Sequence, residues 1–97
     1  MLIRLVRMTF QKDKLPDFHA IFDRSKHRIR AFPGNRHLEL LRDLGNPNVR
    51  MTYSLWDSAD ALDAYRQSEL FRTTWAATKV LFSEKAVAFS GERMEEV

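Results

Sequence analysis

Of the three histidines and two tyrosines in this sequence, His37 and Tyr65 are the candidates for moving a proton or holding an anionic oxygen near neutral pH. His37 lies in Asn35-Arg36-His37-Leu38-Glu39. Strand alternation there puts it on one face with Glu39, a carboxylate able to tune an imidazole. The same face could instead lie against a second copy of the chain, with His37 as an interface residue. Tyr65 belongs to a helical segment with Phe71 and Trp75 close behind. Such a set lines a pocket for a flat apolar ligand or fills a core. Phe22 on an earlier helical stripe and Val6 on the first strand join it as wall candidates. Arg4 has the parity of Val6 and Met8, so it can hold a carboxylate or phenolate at the rim of an apolar pocket. His19, one position off the helical stripe beside Phe18 and Phe22, is either a pocket donor or a boundary residue. His27 falls among Arg24 and Arg28 on a polar face and reads as solvent-exposed.

Other chemistries are excluded by what is missing. There is no cysteine, so no disulfide, zinc-thiolate site or thiol nucleophile. Asp57, Asp60 and Asp63 recur every three residues, which suits a solvated helix end better than a cation cage, and no metal site is expected. Gly34, Gly45 and Gly91 are isolated, so there is no phosphate-cradling loop, and no Gly-x-Ser-x-Gly nucleophile turn occurs. The net charge of +3 is spread among interspersed acids, apart from a cluster at Arg24–Arg30, which argues against a nucleic-acid partner. Met1-Leu2-Ile3-Arg4-Leu5-Val6-Arg7 carries charges inside its apolar run and reads as neither signal peptide nor membrane span. With no cysteine, this is the profile expected of a cytoplasmic protein without membrane association.

The elements that must position these residues follow from periodicity. Leu2 to Phe10 is a strand with apolar residues on both parities, hence covered on both faces. Leu15, Phe18, Ile21, Phe22, Ser25, Ile29 and Phe32 form a stripe on a helix from about Lys14 to Phe32. Asp13 is its expected N-cap, Pro16 fits its first turn, and Pro33-Gly34 stops it. Asn35–Asp43 and Val49–Trp56 are strands joined by a turn around Gly45 and Pro47. Asp57 and Ser58 cap a helix from Ala59, Ser68 caps its second half, and the pair runs to about Phe82. Lys85 to Met94 is the last strand. The order β-α-β-β-α-β predicts one ferredoxin-like α+β domain over 1–97: an antiparallel sheet with helices on one face only. The other face needs cover, and a second copy is the economical source.

The run Leu55-Trp56-Asp57-Ser58-Ala59-Asp60-Ala61-Leu62-Asp63-Ala64-Tyr65-Arg66-Gln67-Ser68-Glu69-Leu70-Phe71 resembles the antibiotic biosynthesis monooxygenase (ABM) family in its strand, Trp, capped helix and Ser-x-x-Phe restart. Arg7-Met8-Thr9-Phe10 and Phe32-Pro33-Gly34 stand where that family has its first strand and helix-stop turn. The resemblance implies a dimeric α+β barrel: a homodimer joined through the sheet faces, each subunit keeping a pocket between sheet and helices. It also implies several reactions. Haem-degrading members use an Asn, a Trp and a His at positions occupied here by Val6, Tyr65 and Trp75, so haem degradation is not expected. Cofactor-independent oxygenases use Asn, Trp and Tyr beside an electron-rich phenol. Tyr65 and Trp75 supply a comparable lining, without the Asn.

The expected function is therefore a monooxygenase acting without metal or organic cofactor on a quinol-like or polyketide-like aromatic. Tyr65 and His37 are its catalytic candidates, and Trp75, Phe71, Phe22, Val6, Arg4 and His19 its substrate-binding candidates. The alternative is a non-catalytic small-molecule-binding or stress-response protein of the same fold. An RNA-binding sheet should offer stacking aromatics, whereas the central strands carry Leu38, Leu40, Met51 and Leu55.

Overall fold

In a computed structural model that describes residues 1–97, the chain runs β1 (Leu2–Thr9), a 3-10 turn (Lys12–Lys14), α1 (Leu15–Arg30), β2 (Asn35–Arg42), β3 (Val49–Trp56), α2 (Ala59–Arg66), α3 (Glu69–Lys79) and β4 (Val87–Glu92). The strands form one sheet in the order β2-β3-β1-β4, every neighbouring pair antiparallel. This is the expected ferredoxin-like α+β arrangement, with β1 and β3 in the centre.

Local chemistry accounts for most element ends. Ser58 Oγ accepts from the Ala61 amide at 3.1 Å and Ser68 Oγ from the Phe71 amide at 3.1 Å, which starts α2 and α3 as the spacing predicts. The expected cap at Asp13 is corrected. That residue sits inside the 3-10 turn, and α1 starts at Leu15 with Lys14 in the cap position and no side-chain cap. The turn's own bond, Lys14 N–H to the Gln11 carbonyl at 3.0 Å, occupies one amide, and Pro16 has none to satisfy. Helix α3 stops at Lys79 rather than Phe82, because Phe82 leaves it to bridge Phe10. Gly34 adopts φ +88°, and a Cβ there would stand 2.5 Å from Ala61 Cβ. Only glycine lets the turn after α1 carry the first turn of α2 so closely.

The two faces of the sheet receive different treatment. Val6, Met8, Leu38, Thr52, Ser54, Trp56 and Ala88 face the helices. The tight core on this side is Met8, Phe10, Phe18, Ile21 and Leu81. Helix α1 buries Phe18, Ile21, Ser25 and Ile29, spacings of three and four that make one stripe. Ile3, Leu5, Met51, Tyr53, Leu55, His37 and Leu41 project from the opposite face and stay half-buried, while Val87 and Phe89 are 45% and 57% exposed. Pairing of β1 with β3 and of β3 with β2 aligns these residues in rows across the sheet. No helix is long and apolar enough to cross a membrane.

Candidate functional site

Where sheet and helices part, they enclose a cavity of about 280 Å³. Its floor comes from alternate residues of the strands: Arg4, Val6 and Met8 on β1, Thr52, Ser54 and Trp56 on β3, Leu38 on β2 and Ala88 on β4. Its walls come from α1 (Phe22, Ser25, Ile29), α2 (Leu62, Tyr65, Arg66) and α3 (Phe71, Thr74, Trp75, Thr78). Ser25 helps make the space. It takes a place on the α1 stripe where Leu or Ile would fill the gap, and satisfies its hydroxyl on the Ile21 carbonyl at 2.8 Å.

Aromatic rings run around the cavity in contact with one another. Trp56 stacks on Tyr65 at 4.9 Å, Tyr65 meets Phe71 edge-on at 5.3 Å, and Phe71 stacks on Trp75 at 5.8 Å. Trp75 then meets Phe82 at 5.5 Å. Contacts of this kind are worth about 0.5–1.5 kcal/mol each beyond burial, so the wall is held in place before any ligand arrives. Trp56 is only 1% exposed and anchors the ring set, its Nε1 donating to Ser54 Oγ at 3.0 Å.

Polar groups interrupt this apolar lining sparingly. Burial pushes the Tyr65 phenol up to about 12, with no charge or hydrogen bond offsetting it. At neutral pH Tyr65 is therefore a hydrogen-bond donor and not a base. Arg4 donates to Ser90 Oγ at 2.9 Å. Its pKa lies below the usual arginine value, first through burial and then through repulsion from Arg66, with Asp63 acting the other way.

Six of the eight candidate residues thus line one cavity: Tyr65, Trp75, Phe71, Phe22, Val6 and Arg4. Two do not. His37 pairs with Leu55 across the strands and points to the open face, with Glu39 Oε2 at 3.2 Å and the Tyr53 ring at 6.1 Å. The sheet separates it from the cavity, so it cannot serve as a base there. His19 accepts a hydrogen bond from Arg50 Nε at 3.3 Å and stands outside the lining. Its place one step off the stripe turned it away from the core. No histidine or cysteine lines the cavity. Arg66 and Thr74 escaped the sequence reading. Arg66 is the last residue of an exposed helix turn, and its only signal was adjacency to Tyr65.

The sequence profile of the antibiotic biosynthesis monooxygenase family matches residues 1–77. The chain belongs to that family. The match takes in β1, α1, the β2–β3 hairpin, α2 and most of α3, and so almost all of the lining. Solved structures agree on the fold. An antibiotic biosynthesis monooxygenase superposes with a TM-score of 0.91 at 14% identity, over 98% of this chain and 100% of that one. Rv0793 from Mycobacterium tuberculosis gives 0.89 at 19%, over 98% of this chain and 96% of that one. SnoaB, a cofactor-independent oxygenase from Streptomyces nogalater, gives 0.85 at 18%, over 99% of this chain and 95% of that one. At such identities the superpositions speak to fold alone. No curated protein matches this ABM chain by sequence.

Proposed function

We propose that this ABM protein is a cofactor-independent monooxygenase acting on a quinol-like or polyketide-like aromatic. The observation that carries the reading is the aromatic-walled cavity with the half-buried Tyr65 in its wall, in a chain of the monooxygenase family. A bound phenol or anthrone ionises to a phenolate or carbanion, which gives one electron to oxygen; the radical pair then joins as a peroxide. Loss of water leaves a new carbonyl, so one oxygen atom enters the product and the other leaves as water. Tyr65 donates a hydrogen bond to the substrate oxygen that gathers charge. The proton lost from the substrate goes to water, because the ionisable lining residues Arg4, Tyr65 and Arg66 include no base that works near neutral pH. The aromatic walls hold the ring flat and keep the anion dry.

We further propose a homodimer closed through the open sheet face. Its half-buried Ile3, Leu5, Leu55 and Leu41 and its exposed Phe89 support a self-complementary apolar contact.

The test is oxygen uptake by metal-free protein against hydroquinones, naphthalenediols and anthrones, with heat-denatured protein subtracting autoxidation. Saturable uptake is expected, falling about 10- to 100-fold in Tyr65→Phe. Absence of uptake across all three classes would sink the oxygenase reading. The lack of a neutral-pH base favours one alternative, a non-catalytic binding or stress-response protein. It predicts that some of these compounds raise the melting temperature without turnover.

A further inference from the structure

The cavity has a cationic side that an uncharged aromatic does not use. Arg4 on β1 and Arg66 at the end of α2 both line it, close enough for Arg66 to repel the Arg4 charge. Neither belongs to an ion pair. The chain's close charge pairs are Lys14–Asp17, Lys26–Asp23, Arg36–Asp57, His37–Glu39 and Arg93–Glu96. Asp63, one turn before Arg66, offsets part of the repulsion without pairing and is not in the lining. Arg4 is tethered instead to the neutral Ser90 hydroxyl across β4, which fixes its guanidinium without cancelling its charge. Two like charges on one cavity lining beside an apolar wall, the Arg4 guanidinium partly desolvated and without a carboxylate partner, are stabilised when an anion enters between them. Their planar forks match the two oxygens of a carboxylate.

We propose that the ligand of this cavity is an aromatic carboxylate, its ring against Trp56, Tyr65, Phe71 and Trp75 and its carboxylate between Arg4 and Arg66. The proposal rests on the aromatic-binding reading above and adds the substrate class: a hydroxylated aromatic acid instead of a neutral quinol. The proposed dimer leaves the arrangement intact, since both arginines lie on the helix side of the sheet.

The experiment uses the intact protein and equilibrium binding, so it does not depend on turnover. Trp56 and Trp75 are the only tryptophans, and both line the cavity, so quenching of intrinsic fluorescence reports occupancy directly. The probes are 3-hydroxy-2-naphthoate and 2-naphthol, which share a ring system and differ by the carboxylate. At neutral pH the naphthoate is expected to bind at least about tenfold more tightly, the scale of one charge-assisted hydrogen bond. Arg66→Met, at an exposed position, and Arg4→Met should each bring the two probes toward parity, read as the ratio of the two affinities within each variant. Arg4→Lys keeps the charge, protects the fold and should retain part of the preference. Equal affinities in the wild type, or a preference that survives both methionine variants, would overturn the proposal. So would failure of both probes to bind, which would also remove the aromatic-pocket reading. A carboxylate preference without oxygen uptake would leave this inference standing and defeat only the oxygenase.

Discussion

The two faces of one sheet make the useful comparison. Strand β1 sends Val6 and Met8 one way and Ile3 and Leu5 the other, with apolar chemistry on both sides. The helix side is closed by the chain itself, yet not completely: Ser25, Thr52, Thr74 and Ala88 are too small to fill it, and a cavity remains. The open side has larger residues in cross-strand rows, such as Glu39-Tyr53-Leu5-Phe89, and nothing within the subunit to cover them. One face has cover with a gap, and the other has contacts without cover. Apolar surface alone therefore does not define a ligand site. The site is where the chain covers a face and withholds volume.

The comparison breaks most readily at Trp56, which is 1% exposed on the helix side. Trp56→Ala should cost about 3–5 kcal/mol in urea unfolding, through lost burial and a cavity next to Tyr65. A loss below about 1 kcal/mol would mean that the ring wall is not part of the core. On the other face, Leu5→Glu should leave the subunit folded and weaken self-association about 100-fold, or about 2.7 kcal/mol. Light scattering at micromolar concentration should then report a monomer for the variant and the proposed dimer for the wild type; equal masses for the two proteins would remove the open face as the interface.

The third and smallest effect concerns pH. Below the ordinary phenol value of 10.0, Tyr65 is neutral in folded and unfolded chains alike. Between there and about 12 only the unfolded chain ionises, so the folded state holds more protons and stability falls as pH rises. The loss should approach about 2–3 kcal/mol and level off above the folded value. Tyr65→Phe should flatten that part of the pH–stability curve relative to the wild type. An unchanged slope would show that the ring is hydrated and the cavity wall open.

Much of this was legible along the chain. The stripe of α1, the serine caps of α2 and α3, the Gly34 stop and the alternation of β1 are local, and each acts through neighbours one to four residues away. The element order followed from them. The Asp13 cap failed because a 3-10 turn with its own backbone bond competed for the same few residues. Tyr65, Trp75, Phe71, Phe22, Val6 and Arg4 were named from type, parity and family resemblance, and the fold gathered all six.

What only the tertiary structure decided was which side of the sheet each residue meets and where volume is missing. His37 and Arg4 look equally promising in sequence, each a polar residue on a strand with apolar companions. The one-residue irregularity between Asn35 and His37 and the pairing of β2 with β3 set His37 on the face away from the helices. A helix-end arginine such as Arg66 is ordinarily a solvated charge; it becomes part of the site only because α2 packs on β3 and sets Arg66 in the same lining as Arg4. The residues' own types and spacing determined which elements form. Long-range register and helix placement decided which charges share a cavity, because those depend on contacts between segments far apart in the chain.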